Sequence, residues 1–265
     1  MFDPDPTAMA PDDASEVCVI PAAFGADPDP AAAILEASPQ VELFDEEVWG
    51  VPKKGFRPLV ADSASDGVAL RKTLSAVLER GAVPLVLGAS TDCFAGAEEW
   101  AEPVSILHLS ATPDLAPGCL MRKAVEAGHT VVAAGLRRFS PEEAAFIPTL
   151  PSSYRPFRAF GQAGYKAGEQ GPAIAAALGK GPRLVAIDLS VFDAAIMPAV
   201  AEPEPGGLSW PTVTAILKAS LVGHPVAGIF LWGLRPHPSL HAADFLAAKL
   251  AYKLLTYAFA SENAF

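Results

Sequence analysis

Apolar positions fall into short continuous runs separated by longer stretches of mixed polarity. The runs are Val17–Pro21, Val41–Phe44, Val83–Leu87, Val104–Leu109, Thr130–Ala134, Leu184–Leu189 and Val226–Trp232, rich in Val, Ile and Leu and bounded by Gly, Pro or charge. Runs that do not alternate suit strands covered on both faces, as in a parallel sheet. Three of the intervening stretches read as helices. Asp66–Arg80 stops before Gly81, a left-handed C-terminal glycine. Ser209–Val222 has a serine cap, Pro211 in its first turn, apolar Val213, Ile216, Leu217 and Leu221, and Gly223 just beyond. Leu240–Ala258 carries Leu246, Leu250, Leu254 and Tyr257 on one side. The pattern predicts one α/β domain over residues 16–265, with helices on both faces of the sheet, after a flexible Pro/Asp/Ala arm at 1–15.

Composition narrows the classes. Of 265 residues, 51% are hydrophobic and 18% charged, which is too apolar for a disordered chain. No apolar stretch approaches the roughly 18 residues of a membrane span. The net charge of −11 argues against nucleic acid or an anionic membrane as partner. Cys18, Cys93 and Cys119 are odd in number and widely spaced, which fits a reducing compartment rather than a disulfide frame or zinc ribbon. With no basic and apolar leader at its start, the chain is expected in the cytoplasm.

In open parallel sheets, chemistry sits on loops at the carboxyl ends of strands. Three such loops stand out: Gly88-Ala89-Ser90-Thr91-Asp92-Cys93, Ser110-Ala111-Thr112-Pro113-Asp114-Leu115, and Asp188-Leu189-Ser190-Val191-Phe192-Asp193 with its continuation Pro198–Leu208. These resemble the ureohydrolases (arginases, agmatinases and formimidoylglutamases), whose corresponding loops read GGDHS, DAHxDL and SxDxDxxDP. Pro198–Leu208 matches that family's PGTGTPEPGGL loop without a gap. Glu42–Glu46, Gly135-Leu136-Arg137 (the family's GIR) and Gly233-Leu234-Arg235-Pro236 (its EVNP) are further echoes. The resemblance implies a three-layer α/β sandwich with a mostly parallel sheet of about eight strands.

It also implies what is missing. The family holds two manganese ions with two His and four Asp. Those positions fall here on Thr91, Ser110, Thr112, Asp114, Asp188 and Ser190, so only two carboxylates remain. The glutamate that orients the guanidinium falls on Gly233, while the non-ligand Asp of the DP pair is kept as Asp193. Hydroxyls are weak ligands for a hard divalent cation, so no metal cofactor is expected, or at most one weak ion at Asp114 and Asp188. Without the metal pair, nothing obvious acidifies a water. The four hydroxyl residues can instead hydrogen-bond the remaining carboxylates, or simply cap strands and helices.

Asp92, Asp193, Trp232, Gly233 and Arg235 are candidates to line the same pocket. Arg235 could fill the metal's space, and Trp232 could equally be core. His237 and His241 are four apart but flank Pro238, and lack a third ligand. His108 reads as a core histidine. Cys93 would need a base to act as nucleophile. Glu204 matches a loop-shaping glutamate beside Glu202, and Lys53, Lys54, Arg71 and Lys72 read as solvated.

The expected function is a catalytically inactive arginase/agmatinase-like protein serving as a binding or partner subunit, as a homo-oligomer or beside a ureohydrolase paralogue. The alternatives are an altered hydrolase of linear amidine or guanidino C–N bonds with one weak metal or none, and a sensor of a small amine or guanidino ligand.

Overall fold

A computed structural model of the protein describes residues 15–47, 56–94, 103–159 and 170–260. Apart from Ser15, the expected N-terminal arm lies outside these residues, as do Lys53 and Lys54. Eight strands form one sheet: β1 (Ser15–Ala22), β2 (Phe56–Val60), β3 (Val83–Gly88), β4 (Ser105–Leu109), β5 (Thr130–Leu136), β6 (Tyr154–Arg158), β7 (Arg183–Asp188) and β8 (Val226–Trp232). Every pairing is parallel, in the order β2-β1-β3-β8-β7-β4-β5-β6.

Among the described residues seven α-helices cover the sheet: α1 (Pro30–Ala37), α2 (Gly67–Glu79), α3 (Leu120–Glu126), α4 (Pro141–Phe146), α5 (Gln170–Leu178), α6 (Trp210–Leu221) and α7 (His241–Phe259). Strand side chains alternate between two cores. Val19, Leu87, Leu107, Ile187 and Leu231 face α1, α5, α6 and α7, whereas Ile20, Val86, Ile106, Ala186 and Phe230 face α2 and α3. Both faces are therefore apolar, as the unbroken hydrophobic runs require. Asp66 caps α2 through the amides of Val68 and Ala69, and Ser209 caps α6 through that of Thr212.

One expected strand is absent. Val41–Phe44 follows α1 and a short 3₁₀ turn as a loop against α7, where the Tyr252 hydroxyl donates to the Leu43 carbonyl. Beyond it, Asp45 is fully buried 2.8 Å from the Lys253 ammonium, with Glu47 at 3.2 Å. The strands found instead are the two sheet edges, β2 and β6, each with a central proline (Pro58 and Pro156). An edge strand tolerates proline because one side of its backbone needs no ladder partner.

Candidate active-site cleft

The carboxyl ends of β3, β8, β7 and β4 lie side by side, and their loops enclose a cavity of about 190 Å³. Thr91, Thr112, Asp188, Ser190, Trp232, Gly233 and Arg235 all line it. Loops remote in sequence thus supply four of the six family ligand positions. Ser110 sits just beneath, 1% exposed, where its Oγ accepts from the Thr112 amide at 3.1 Å.

Local backbone chemistry sets these positions. A side chain at Gly88 would overlap Cys93, so the first loop turns only with glycine there. Asp188 ends β7 and caps the next turn, its Oδ1 accepting from the Ser190 amide at 2.8 Å. The Ser190 Oγ accepts from the Ala111 amide at 3.3 Å, which ties the β7 loop to the β4 loop. Burial pushes the Asp188 carboxyl above the usual carboxylate range against the opposing pull of Ser190. At Gly233, φ is +97° and an added Cβ would stand 2.6 Å from the Asp188 Oδ1.

Asp114 is not part of the cavity lining. It adopts φ +56° and faces the start of α3, near the Cys119 thiol and the amides of Leu120 and Met121. Its Oδ2 is buried without a hydrogen-bond partner, and burial raises its pKa. The left-handed turn takes it away from the role of second carboxylate in the cleft. Asp92 is also outside the lining, exposed and accepting from the Ser90 hydroxyl at 3.0 Å. Asp193 instead holds the 205–208 loop, with its Oδ2 accepting from Gly206 at 2.7 Å and Gly207 at 3.0 Å.

Arg235 does not fill the space of a metal. It is exposed at the rim, and among the described residues its guanidinium has no ion-pair partner. Trp232 touches the cavity but is 1% exposed, stacked at 16° on His108 and packed near Phe94. Burial lowers the His108 pKa to about 3 and raises that of the Cys93 thiol, so near neutral pH His108 is a neutral, weakly basic imidazole and Cys93 a protonated thiol. His237 and His241 lie in a different groove.

Two arginines follow β5: Arg138 lines the cleft, and Arg137, the arginine of the Gly135-Leu136-Arg137 echo, lies behind its loops. Arg138 pairs with Glu202 across the mouth. Arg137 is a clamp: its guanidinium donates to the carbonyls of Ser190 at 2.7 Å and Glu204 at 2.8 Å, with longer contacts to Gly135, Val191 and Phe192. Gly135 permits this approach, since an added Cβ would stand 2.6 Å from Val191 Cγ2.

Residues 61–256 match the Arginase family. The chain is 27% identical over 254 residues to an N(1)-aminopropylagmatine ureohydrolase of Synechocystis, a match covering 85% of this chain and 81% of that protein. Its fold is similar to proclavaminate amidino hydrolase from Streptomyces clavuligerus (TM-score 0.80, 20% identity, 93% and 92% of the two chains). It is also similar to a T. brucei arginase-like protein solved with three serines changed to Asp and one arginine to His (TM-score 0.72, 18% identity, 94% and 91%).

The donor set does not fit the two-manganese centre of that family. The cleft presents two carboxylates, Asp188 among hydroxyls and Glu202 at the mouth, where Arg138 pairs with it. Among the described residues no three His, Cys, Asp or Glu side chains are grouped to hold a metal ion. Hard divalent cations need anionic oxygen or imidazole ligands in number.

Proposed function

The chain belongs to the arginase family, and we propose that it is a member whose cleft no longer performs dimanganese hydrolysis and serves instead as a binding or partner subunit. One observation carries this reading: four family ligand positions hold Ser or Thr, and Ser110 and Ser190 are spent on backbone hydrogen bonds that shape the loops. The fifth position, Asp114, is turned toward α3. A neutral network of this kind avoids the repulsion and desolvation of clustered carboxylates that lack cations. Gly233 adds to it, because its φ of +97° and the 2.6 Å approach to the Asp188 Oδ1 disfavour a side chain where the family's guanidinium-orienting glutamate would stand. The scaffold survives while the groups for metal activation of water do not.

A second reading is a hydrolase with altered chemistry at the same cleft. The Synechocystis relative, named a ureohydrolase, favours it, as does the retention of Asp188 within the cavity.

Elemental analysis after incubation with manganese and gel filtration, paired with urea release from agmatine and arginine, separates the two. The proposal expects clearly substoichiometric manganese and no urea above the level of the Asp188→Asn variant. Two manganese per chain with urea release overturns it. One manganese with chelator-sensitive release establishes the altered hydrolase in its place.

A further inference from the structure

A second and larger cavity, of about 900 Å³, lies between α1 and the start of α7. Its chemistry differs from that of the cleft. Three carboxylates line it, Asp29, Glu36 and Asp244, with no lysine or arginine among the lining residues. Asp29 is occupied in capping α1 through the amides of Ala31 and Ala32. Glu36 is exposed.

Asp244 is the unexplained group. It is 9% exposed, and its Oδ1 is buried with no hydrogen-bond partner among the described residues. Its Oδ2 has only the His241 Nδ1, 3.6 Å away, and that histidine side chain is 82% exposed. A carboxylate in the first turn of a helix gains from the helix dipole, but this leaves the orphan oxygen without a hydrogen bond. Burial raises the Asp244 pKa, and neighbouring Glu36 raises it further. Asp244 and Glu36 thus share a groove whose lining offers no lysine or arginine, with the exposed His241 imidazole beside Asp244.

The remaining lining is apolar, with Phe245 39% exposed and prolines at 28, 236 and 238. A bare divalent ion does not suit it, because no three ligating side chains are grouped there. A cation carrying hydrocarbon meets both needs: its charge answers Glu36 and Asp244, and its chain covers Phe245 and the prolines.

We propose that this groove is a ligand site, separate from the cleft, for an organic alkylammonium ion held by Asp244 and Glu36. The site adjoins the segment that shapes the cleft. Gly233 and Arg235 line the cleft, whereas Pro236, His237 and Pro238 line the groove. A ligand in the groove thus bears on the backbone that carries Arg235.

The test is calorimetric titration of the full chain with n-butylamine and with 1,4-diaminobutane, against sodium chloride at equal ionic strength. Saturable binding is expected. Glu36→Gln and Asp244→Asn should each weaken it about tenfold or more, and Asp188→Asn should leave it unchanged. Absence of saturable binding overturns the proposal. So does binding indifferent to Glu36→Gln, an exposed position whose substitution leaves the fold intact. Binding lost in Asp188→Asn but kept in Asp244→Asn would place the amine in the cleft and equally overturn it. None of these outcomes depends on the manganese result.

Discussion

Removing Arg137 is the most direct test of how the cleft is held together. Its guanidinium gathers carbonyls from three segments: Gly135 near the end of β5, Ser190–Phe192 after β7, and Glu204 in the proline-rich loop. Two of the five contacts are short, at 2.7 and 2.8 Å, and the other three run from 3.2 to 3.4 Å. A hydrogen bond from a charged donor contributes about 1.5–3 kcal/mol, and an acceptor left buried and unpaired costs about 1–3 kcal/mol. Arg137→Met keeps the aliphatic stem but strands the Ser190 and Glu204 carbonyls. Part of the loss is offset, because burial opposes the cation in the native state. The net expected loss is about 3 kcal/mol. In a domain of this size that lowers Tm by roughly 6–12 °C. Arg137→Lys should recover only part of it, since one ammonium cannot span three segments. Thermal unfolding reads the loss, and hydrogen exchange at the Gly206 and Gly207 amides reads local opening of the loop. A Tm fall under about 2 °C, with exchange unchanged at those amides, would refute the clamp.

Two further outcomes test other parts of the reasoning. An added Cβ at Gly207 would overlap the Asp193 amide and the Phe192 carbonyl, whereas at Gly179 it meets nothing, although φ is +70°. Gly207→Ala should therefore destabilise by about 3 kcal/mol or more, and Gly179→Ala by only about 1–2 kcal/mol; equal urea midpoints would remove the close-approach argument. Burial holds the His108 pKa at about 3, below its ordinary 6.5, so the unfolded chain takes up this proton first. That contribution to stability is full above pH 6.5 and falls as pH drops toward 3, at up to about 1.4 kcal/mol per pH unit. His108→Phe keeps the stacking on Trp232 and should flatten the acid limb of the stability profile by one proton; an unchanged slope would contradict it.

What the sequence made legible follows from where each element's information resides. Interior strands such as β4 and β7 write their burial directly as apolar runs. The edges do not: Tyr154–Arg158 alternates, carries Pro156 and two arginines, and pairs on one side only. Val41–Phe44 shows the reverse error, because β-branched and aromatic residues also suit a loop buried against a helix. The helix α1 is rich in alanine and gives little periodic signal, although Asp29 and Pro30 mark its start. In the cleft, the order and spacing of the loops pointed to Thr91, Thr112, Asp188 and Ser190, and all four line one cavity. The direction of Asp114 was illegible, since a positive φ at an aspartate follows from its surroundings rather than its identity. The clamp at Arg137 was hidden for a related reason: its partners are main-chain carbonyls, which any residue supplies.

Gly233 joins these two kinds of information. As a letter, it records only a missing glutamate. In the fold, its φ of +97° disfavours any side chain, and an added Cβ would stand 2.6 Å from the Asp188 carboxylate. Restoring Asp and His at Ser110, Thr112, Ser190 and Thr91 would rebuild metal ligands and still leave the guanidinium-orienting position closed. Under the proposed function, metal binding and substrate orientation are separate losses. A variant with the four ligands restored is expected to take up manganese while releasing no urea from agmatine.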